Sequence, residues 1–409
     1  MERADVAIIG AGAAGLSLAD HLAPTPHGSP LTVTLIDAPP GPLRPPRRTW
    51  CFWESATGRY DEAVTASWRT LRVHGRDGRA VQDSLGPLRY KMIRSDDFEA
   101  LIDRRLAHRP GFTRRDGTVE AVEGAADGAR VLLREPGGAL RTVSARWVFD
   151  SRPLDSLPRA RTTLLQHFRG WFLRTPEPAF DTRAVELMDF RTPQPERGLA
   201  FCYMLPTSSR TALVEYTRFS ASLLADEEYD QALRSYTRQV LGLRDIEIEA
   251  TEDGVIPMTD ARFARQVGDS VFRIGTAGGA TRPSTGYTFS TIQRQARATA
   301  QALLAGRRPV PPRPHSRRSL AMDAVLLHGL DSGRIDGAAF FTRLFSRVPM
   351  ERLLGFLDGD TTLLQDIGIG LRGPTGPLLR SAVALPAVPL RAAPGRRPRP
   401  LQENHADPA

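Results

Sequence analysis

The run DVAIIGAGAAGLSLADHL (residues 5–22), followed by LTVTLIDA (31–38), limits the folds open to this chain more than any other stretch. Residues 5–9 are a short apolar run of the kind that becomes a parallel strand covered on both faces. Gly10, Gly12 and Gly15 then satisfy G-x-G-x-x-G, and Leu16 to Leu22 continues as a helix. A second β-rich run ends in Asp37, about 20 residues past the last glycine, where a dinucleotide fingerprint places its acid. Gly10 permits the tight turn, Gly12 lets backbone approach a pyrophosphate, and Gly15 lets the helix lie close on the strand. The helix N-terminus then faces the phosphates, and Asp37 can accept from ribose hydroxyls. Strand, glycines, helix, strand and acid in this order predict an α/β fold with a Rossmann-like dinucleotide-binding domain.

The segment DSVFRIGTAGGATRPSTGYTFSTIQRQARATAQALL (269–304) narrows the cofactor. A short strand, VFRIG, enters a glycine-rich turn and then a long helix that is predicted to begin near Ser284-Thr285-Gly286. It resembles the second flavin-binding segment of glutathione-reductase-like and hydroxylase-like flavoproteins. That resemblance implies FAD, with Gly275, Thr276, Gly278, Thr285 and Gly286 as binding positions. Many of those proteins have Gly-Asp after the strand; Gly275-Thr276 here implies that the ribityl contact is altered or lost. YKMIRSDDFEALIDRRL (90–106) resembles the helix whose first turn carries an arginine near the cofactor, here Arg94, although a solvated helix start reads the same way. ARWVFDSRP (145–153) resembles the strand that ends in an acid, here Asp150, and returns the chain from the cofactor domain.

The FAD-binding domain is therefore predicted to be discontinuous, over 1–50, 88–155 and 255–306. An inserted β-rich substrate domain covers 51–87 and 156–254. C-terminal helices follow over 307–372, and the Pro-, Arg- and Ala-rich stretch 373–409 is predicted to lack packed structure.

Within the inserted domain, GLAFCYMLP (198–206) and TALVEYTRFS (211–220) read as a hairpin lining an interior. Alternation puts Leu213, Glu215, Thr217 and Phe219 on one face, with Val214 and Tyr216 on the other. A carboxyl at Glu215 is out of place unless it pairs with Arg218 or another arginine at a domain seam, or does chemistry as a buried acid.

The 409 residues carry 55 Lys+Arg against 46 Asp+Glu, but the basic residues are scattered, without the aromatic interleaving of a nucleic-acid surface. Two distant cysteines, Cys51 and Cys202, offer neither a disulfide framework nor metal-ligand spacing, and no metal is expected. No apolar run reaches the roughly 18 to 20 residues that cross a bilayer. The first strand begins within a few residues of Met1, which leaves no room for a signal peptide. A cytoplasmic protein, at most peripheral to a membrane, is expected.

Five further segments, RRTWCFWES (47–55), LMDFRTP (187–193), LVEYTRFS (213–220), GVIPM (254–258) and GGATRPSTGY (278–287), together resemble the flavoprotein type of lycopene cyclase found in bacteria and related to the plant carotenoid cyclases. Order and spacing match from residue 5 to about residue 370; RTWCFW and PSTGY are the more specific pieces. The resemblance implies closure of the ψ-ends of lycopene to β-ionone rings in carotenoid biosynthesis, with no net redox change. It implies that FAD works reduced, with NAD(P)H as electron donor, and that the essential acid is Glu215. Protonating a polyene carbon requires a carboxylic acid still neutral near pH 7, and an apolar wall favours that form. Trp50, Phe52, Trp53 and Tyr203 are candidate walls of the substrate pocket; an aromatic plug between domains is the other reading of RTWCFW. Asp189 is expected to serve as a partner for Arg191.

A membrane-dissolved hydrocarbon substrate also implies a membrane surface as partner, and other carotenoid enzymes are candidate partners. Phe340, Phe341, Phe345, Leu353, Leu354 and Phe356, interleaved with Arg343, Arg347 and Arg352, are expected either to pack on the substrate domain or to form an interfacial helix pair. Two other functions share this scaffold: a FAD monooxygenase or prenyl reductase on a hydrophobic isoprenoid, and a non-catalytic flavin-binding subunit.

Overall fold

In a computed structural model, which describes residues 2–23 and 31–392, the fingerprint strand Glu2–Ile9 lies inside a seven-stranded sheet. It pairs in parallel with Val33–Asp37 on one side and Leu140–Asp150 on the other. Phe112–Asp116 extends the sheet beyond Val33–Asp37, and Val271–Arg273 pairs with the C-terminal end of Leu140–Asp150. Thr118–Ala125 and Gly128–Arg134 complete it with antiparallel pairing. Residues 6–9 are fully buried, as an apolar run between two covered faces requires. On one face, helix Ala13–Leu22 packs against helix Phe289–Leu304. A Cβ on Gly15 would overlap the carbonyl oxygen of Gly10, so only glycine lets that helix start so close to the strand.

A second seven-stranded sheet has the order Glu247–Thr259, Thr163–Arg174, Thr211–Ser220, Leu199–Pro206, Ala184–Asp189, Thr70–His74, Ala80–Ser84. Every pairing in it is antiparallel except Ala184–Asp189 with Thr70–His74. The fold class is thus the expected α/β flavoprotein type with an inserted β-sheet domain and C-terminal helices.

The structure divides the stretch 51–87. Thr49–Ser55 and Val64–Trp68 pair with Leu88–Arg94 in a small third sheet, and only residues 70–84 join the large substrate-side sheet. Strand alternation explains why. Trp50 and Phe52 point into the apolar core of the nucleotide domain, whereas Cys51 and Trp53 point into the core of the inserted domain. One strand therefore belongs to both domains at once.

Three C-terminal expectations change. Helix Phe289–Leu304 begins after, not at, Ser284-Thr285-Gly286, because Gly286 has φ +75° and closes a turn by donating its N–H to the Arg282 carbonyl, 2.9 Å. Phe340, Phe341, Phe345, Leu353 and Leu354, on helices Gly337–Arg347 and Met350–Asp358, are buried in the substrate-side core, with Phe356 half-buried against it. They form no membrane face; Arg343, Arg347 and Arg352 are simply the exposed side of two amphipathic helices. The chain beyond 373 continues as helix Thr375–Ala384, packed on helix Arg317–Asp331 with Ser381 buried. The rest of the stretch expected to be unstructured, residues 393–409, lies outside the described residues.

Candidate active site

The cofactor cradle starts at the fingerprint turn. Gly10 adopts φ +94° and helix Ala13–Leu22 begins at Gly12 with no side-chain cap, so its first N–H groups are free to meet an anion. A Cβ on Gly12 would meet nothing within 4 Å, which leaves open space on the helix end. The Ala11 N–H donates to Asp37 Oδ1 at 2.9 Å and fixes that carboxylate at the end of its strand. Asp37 Oδ2 faces Arg44 and Arg114 at 3.6 and 3.8 Å, and Glu99 bridges the same two guanidiniums.

The second flavin segment meets the first directly: a Cβ on Gly275, at φ +63°, would come to 3.0 Å from the Ala14 Cβ. Gly278 closes a short turn beneath it, and Thr276 stands exposed at its rim. Thr285 Oγ1 and Gln166 Oε1 are buried without hydrogen-bond partners, and a Cβ on Gly286 would overlap that same Gln166 oxygen. Buried orphaned polar atoms beside a glycine that cannot carry a side chain mark a place shaped for a polar ligand edge. Together with the uncapped helix end, these residues fit FAD. The Arg94 guanidinium lies 4.3 Å over the Phe172 ring, between the nucleotide domain and the large sheet, so it is not a solvated helix start.

Glu215 sits mid-strand with Gly170 opposite it on one neighbour and Tyr203 opposite it on the other. A Cβ on Gly170 would stand 3.5 Å from the Glu215 Cβ, so the glycine leaves the carboxyl its space. Thr217 Oγ1 donates to Glu215 Oε1 at 2.8 Å. Among the described residues no Arg, Lys or His forms an ion pair with Glu215; Arg218 leaves the opposite face of the strand. Burial pushes the Glu215 carboxyl up to about 8; the Thr217 donor opposes this and the nearby Glu252 charge adds to it. It is therefore a neutral acid at pH 7.

Three phenols and a thiol surround this acid. Tyr90 and Tyr287 share a hydrogen bond at 3.1 Å, and the Tyr287 ring meets the Trp53 ring edge-on with centroids 4.7 Å apart. Tyr203 bonds to Tyr287 and feels the Glu215 charge. Burial pushes the Tyr90, Tyr203 and Tyr287 phenols and the Cys51 thiol up, so all four stay neutral. Glu215, Tyr203, Tyr287 and Cys51 interact with one another and are each half-buried rather than fully buried, so they keep accessible surface in common surroundings. The groups around Glu215 are neutral phenols, a thiol and apolar side chains, and Glu252 supplies the nearby negative charge.

Of the expected pocket residues, Trp53 and Tyr203 belong to these surroundings. Trp50 and Phe52 do not: both stack on Phe289 in the nucleotide-domain core, and Trp50 also meets Phe98. Sequence reasoning missed Gly170, Tyr90 and Tyr287. It also missed Glu252, which flanks Gly170 from the other side and accepts from Thr49 N and Oγ1 at 2.7 and 2.6 Å. The available signal was Gly170 itself, a glycine inside an otherwise bulky strand, which marks a close approach. Asp189 is fully buried and bonds to Arg191 at 2.6 Å and to the Tyr236 hydroxyl at 2.7 Å. With His74 and Glu186 it makes an acidic cluster that Arg72 and Arg191 neutralise.

A family model described as lycopene cyclase protein matches residues 5–383. No curated protein matches the chain by sequence. Among solved structures, a geranylgeranyl bacteriochlorophyll reductase-like protein from Thermoplasma acidophilum shares 13% identity at TM-score 0.61, covering 94% of this chain and 100% of its own. The p-nitrophenol 4-monooxygenase of Pseudomonas putida shares 14% at TM-score 0.58, covering 91% and 100%. A flavin-dependent brominase shares 15% at TM-score 0.52, covering 91% and 93%. At these identities the likeness is one of fold, that of flavin-dependent enzymes.

Proposed function

This chain belongs to the lycopene cyclase protein family, and from that membership we propose that it closes the ψ-ends of lycopene to β-ionone rings by acid-initiated cyclisation. The observation that supports the reading is Glu215, a carboxyl raised to about 8 by burial, held by Thr217 and without an ion-pair partner among the described residues.

The Glu215 carboxyl gives its proton to C-2 of the terminal double bond, which leaves a tertiary cation at C-1. The C-5,C-6 double bond attacks C-1, the ring closes, and the charge moves to C-5. Return of the C-6 proton to the Glu215 carboxylate forms the ring double bond and regenerates the acid, so atoms and electrons balance without an oxidant. Thr217 orients the acid, and Gly170 leaves it room. The Trp53, Tyr203 and Tyr287 rings offer π faces to the passing cation. Their neutral phenols bring no competing charge, and the apolar side chains around them disfavour water that would trap the cation as an alcohol. The FAD site would be held by Gly10, Gly12, Gly15, Asp37, Gly275 and Gly286; reduced flavin, when bound, supplies electron density that favours a nearby cation, with NAD(P)H as its electron source. The enzyme would work peripherally at a membrane, where its substrate dissolves.

A second reading, a FAD monooxygenase or prenyl reductase on an isoprenoid, is favoured by the fold likeness to a reductase-like protein and a monooxygenase. One experiment separates them. Purified holoprotein is incubated anaerobically with NADPH and lycopene in liposomes, and the product is weighed by mass spectrometry. A cyclic isomer of unchanged mass is expected; a product heavier by oxygen or hydrogen overturns the cyclase reading.

A further inference from the structure

The outermost helices of the C-terminal region present an apolar surface that nothing among the described residues covers. Seven of the fourteen large hydrophobic side chains exposed among the described residues fall between 363 and 390. On helix Leu363–Gly370 they are Leu363, Leu364 and Ile367, with Leu371 just beyond its end; on helix Thr375–Ala384 they are Leu379 and Val383. Leu364 and Val383 are each 81% exposed. At about 100° per residue, positions 363, 364, 367 and 371 fall within roughly one quarter to one third of the helix circumference. The opposite side buries Asp366 and Ile369. The arrangement is an amphipathic helix turned with its apolar stripe outward, the reverse of what core packing produces.

The charges on this face have one sign. Between 363 and 392 the only acid is Asp366, and it is buried against Arg318 with Nε–Oδ2 2.5 Å. Arg372, Arg380 and Arg391 are all exposed. We propose that these two helices dock the protein onto a lipid bilayer bearing anionic headgroups, with the aliphatic side chains entering the interface and the arginines facing phosphate. A protein partner fits less well. The stripe lacks the exposed Trp, Tyr and Phe that anchor protein interfaces, and a second copy packed about a two-fold axis would set the same arginines against one another.

Behind the stripe, Ile369 and Leu378 belong to the same apolar core as Phe340, Leu213, Tyr203 and Tyr287. The docking face therefore backs onto the same substrate-side core that contributes Leu213, Tyr203 and Tyr287 to the surroundings of Glu215. That it also receives a membrane-dissolved polyene rests on the cyclase reading; the docking itself does not.

The test is flotation of the full-length holoprotein with vesicles of phosphatidylcholine alone and of phosphatidylcholine mixed with phosphatidylglycerol. Wild type is expected to float with the mixed vesicles, less so at high salt. The double variant L364D/V383D, checked for bound flavin and an unchanged melting temperature, is expected to lose about tenfold or more of that binding. R372E/R380E is expected to lose the preference for phosphatidylglycerol. Binding of L364D/V383D equal to wild type overturns the proposal. So does light scattering that shows wild type dimeric and the double variant monomeric with vesicle binding unchanged. Cyclisation is assayed separately with lycopene in detergent micelles: floating protein without cyclic product sinks the cyclase reading and leaves docking standing, whereas L364D/V383D active in micelles but absent from vesicles supports both.

Discussion

Glu215 and Gly170 face each other across paired antiparallel strands, and a Cβ placed on Gly170 would stand 3.5 Å from the Glu215 Cβ and 2.8 Å from Leu213 Cδ1. The glycine leaves the strand beside the acid bare, and the group a side chain there would first displace is Leu213. Gly170→Ala has only to displace the end of Leu213, a flexible group, and is expected to cost about 1 kcal/mol of stability with activity largely kept. Gly170→Val adds branches beside the carboxyl and is expected to lower turnover at least tenfold while flavin stays bound. Turnover at saturating lycopene, beside flavin absorbance, checks both. Full activity in Gly170→Val would show that the acid does not need this space.

The pH dependence follows from the same acid. The Glu215 carboxyl is raised from an ordinary 4.5 to about 8 by burial, so its active, protonated form is present below about pH 8 and disappears above it. Cyclisation should fall as pH rises through 8, and Glu215→Gln should abolish it with flavin retained, a loss on the order of a hundredfold or more. Stability carries a matching signature. Between 4.5 and 8 the folded state holds a proton that the unfolded chain releases, so this group's contribution is full below 4.5 and is lost as pH rises toward 8. Glu215→Gln has no such slope. Its melting temperature relative to wild type should therefore climb between pH 5 and pH 9; parallel curves would contradict the raised pKa.

The strand Thr49–Ser55 allows its two faces to be tested apart. Trp50 and Phe52 pack on Phe289, whereas Trp53 meets Tyr287 in the surroundings of Glu215. Phe52→Ala is expected to cost about 3–5 kcal/mol and to loosen flavin binding, because it hollows the nucleotide core. Trp53→Leu stays apolar but removes a π face and much of the side-chain volume, and is expected to slow turnover about tenfold with flavin affinity unchanged. Thermal melts and flavin titration, set against turnover, separate the two effects; a Trp53→Leu enzyme with unchanged turnover would remove that ring from the site.

How much of this was legible in the sequence depended on how local the cause was. Gly10, Gly12, Gly15 and Asp37 could be read because their spacing is fixed by one turn and one helix. Glu215 could be read because a strand's alternation exposes a misplaced charge within ten residues. Gly170 and Glu252 reach Glu215 through strand register, and Tyr90 and Tyr287 reach its surroundings from a different sheet and from a turn, so neither placement can be read from one local stretch. Phe340 and Leu364 show why the expected interfacial helix pair does not hold. Both sit on amphipathic helices, and periodicity says that a helix has an apolar side without saying what covers it. Phe340 is covered by the substrate-side core; Leu364 is covered by nothing among the described residues. The helix start was misplaced for a related reason: Ser284-Thr285-Gly286 has the composition of a helix cap, but φ +75° at Gly286 makes it a turn.

That turn gives the last prediction. Gly286 lies against Gln166, whose Oε1 is buried and unpartnered, and Thr285 Oγ1 beside it is in the same state. The turn is also tied from below, where Arg282 pairs with buried Asp323 at 2.7 Å and Ser284 donates to that carboxylate at 2.7 Å. If these groups hold the polar edge of the flavin, Gly286→Ala should weaken FAD binding through both backbone strain and the clash with Gln166. Gln166→Leu should weaken it by about 1–2 kcal/mol, roughly tenfold in Kd, without raising instability in the apoprotein, since it removes an unpaired buried oxygen. Asp323→Asn should instead destabilise the apoprotein by about 3 kcal/mol, because it leaves the Arg282 charge buried and uncompensated. Titration of apoprotein with FAD by fluorescence quenching, paired with apoprotein melts, distinguishes these outcomes. A Gln166→Leu protein that binds FAD like wild type would place the flavin edge elsewhere.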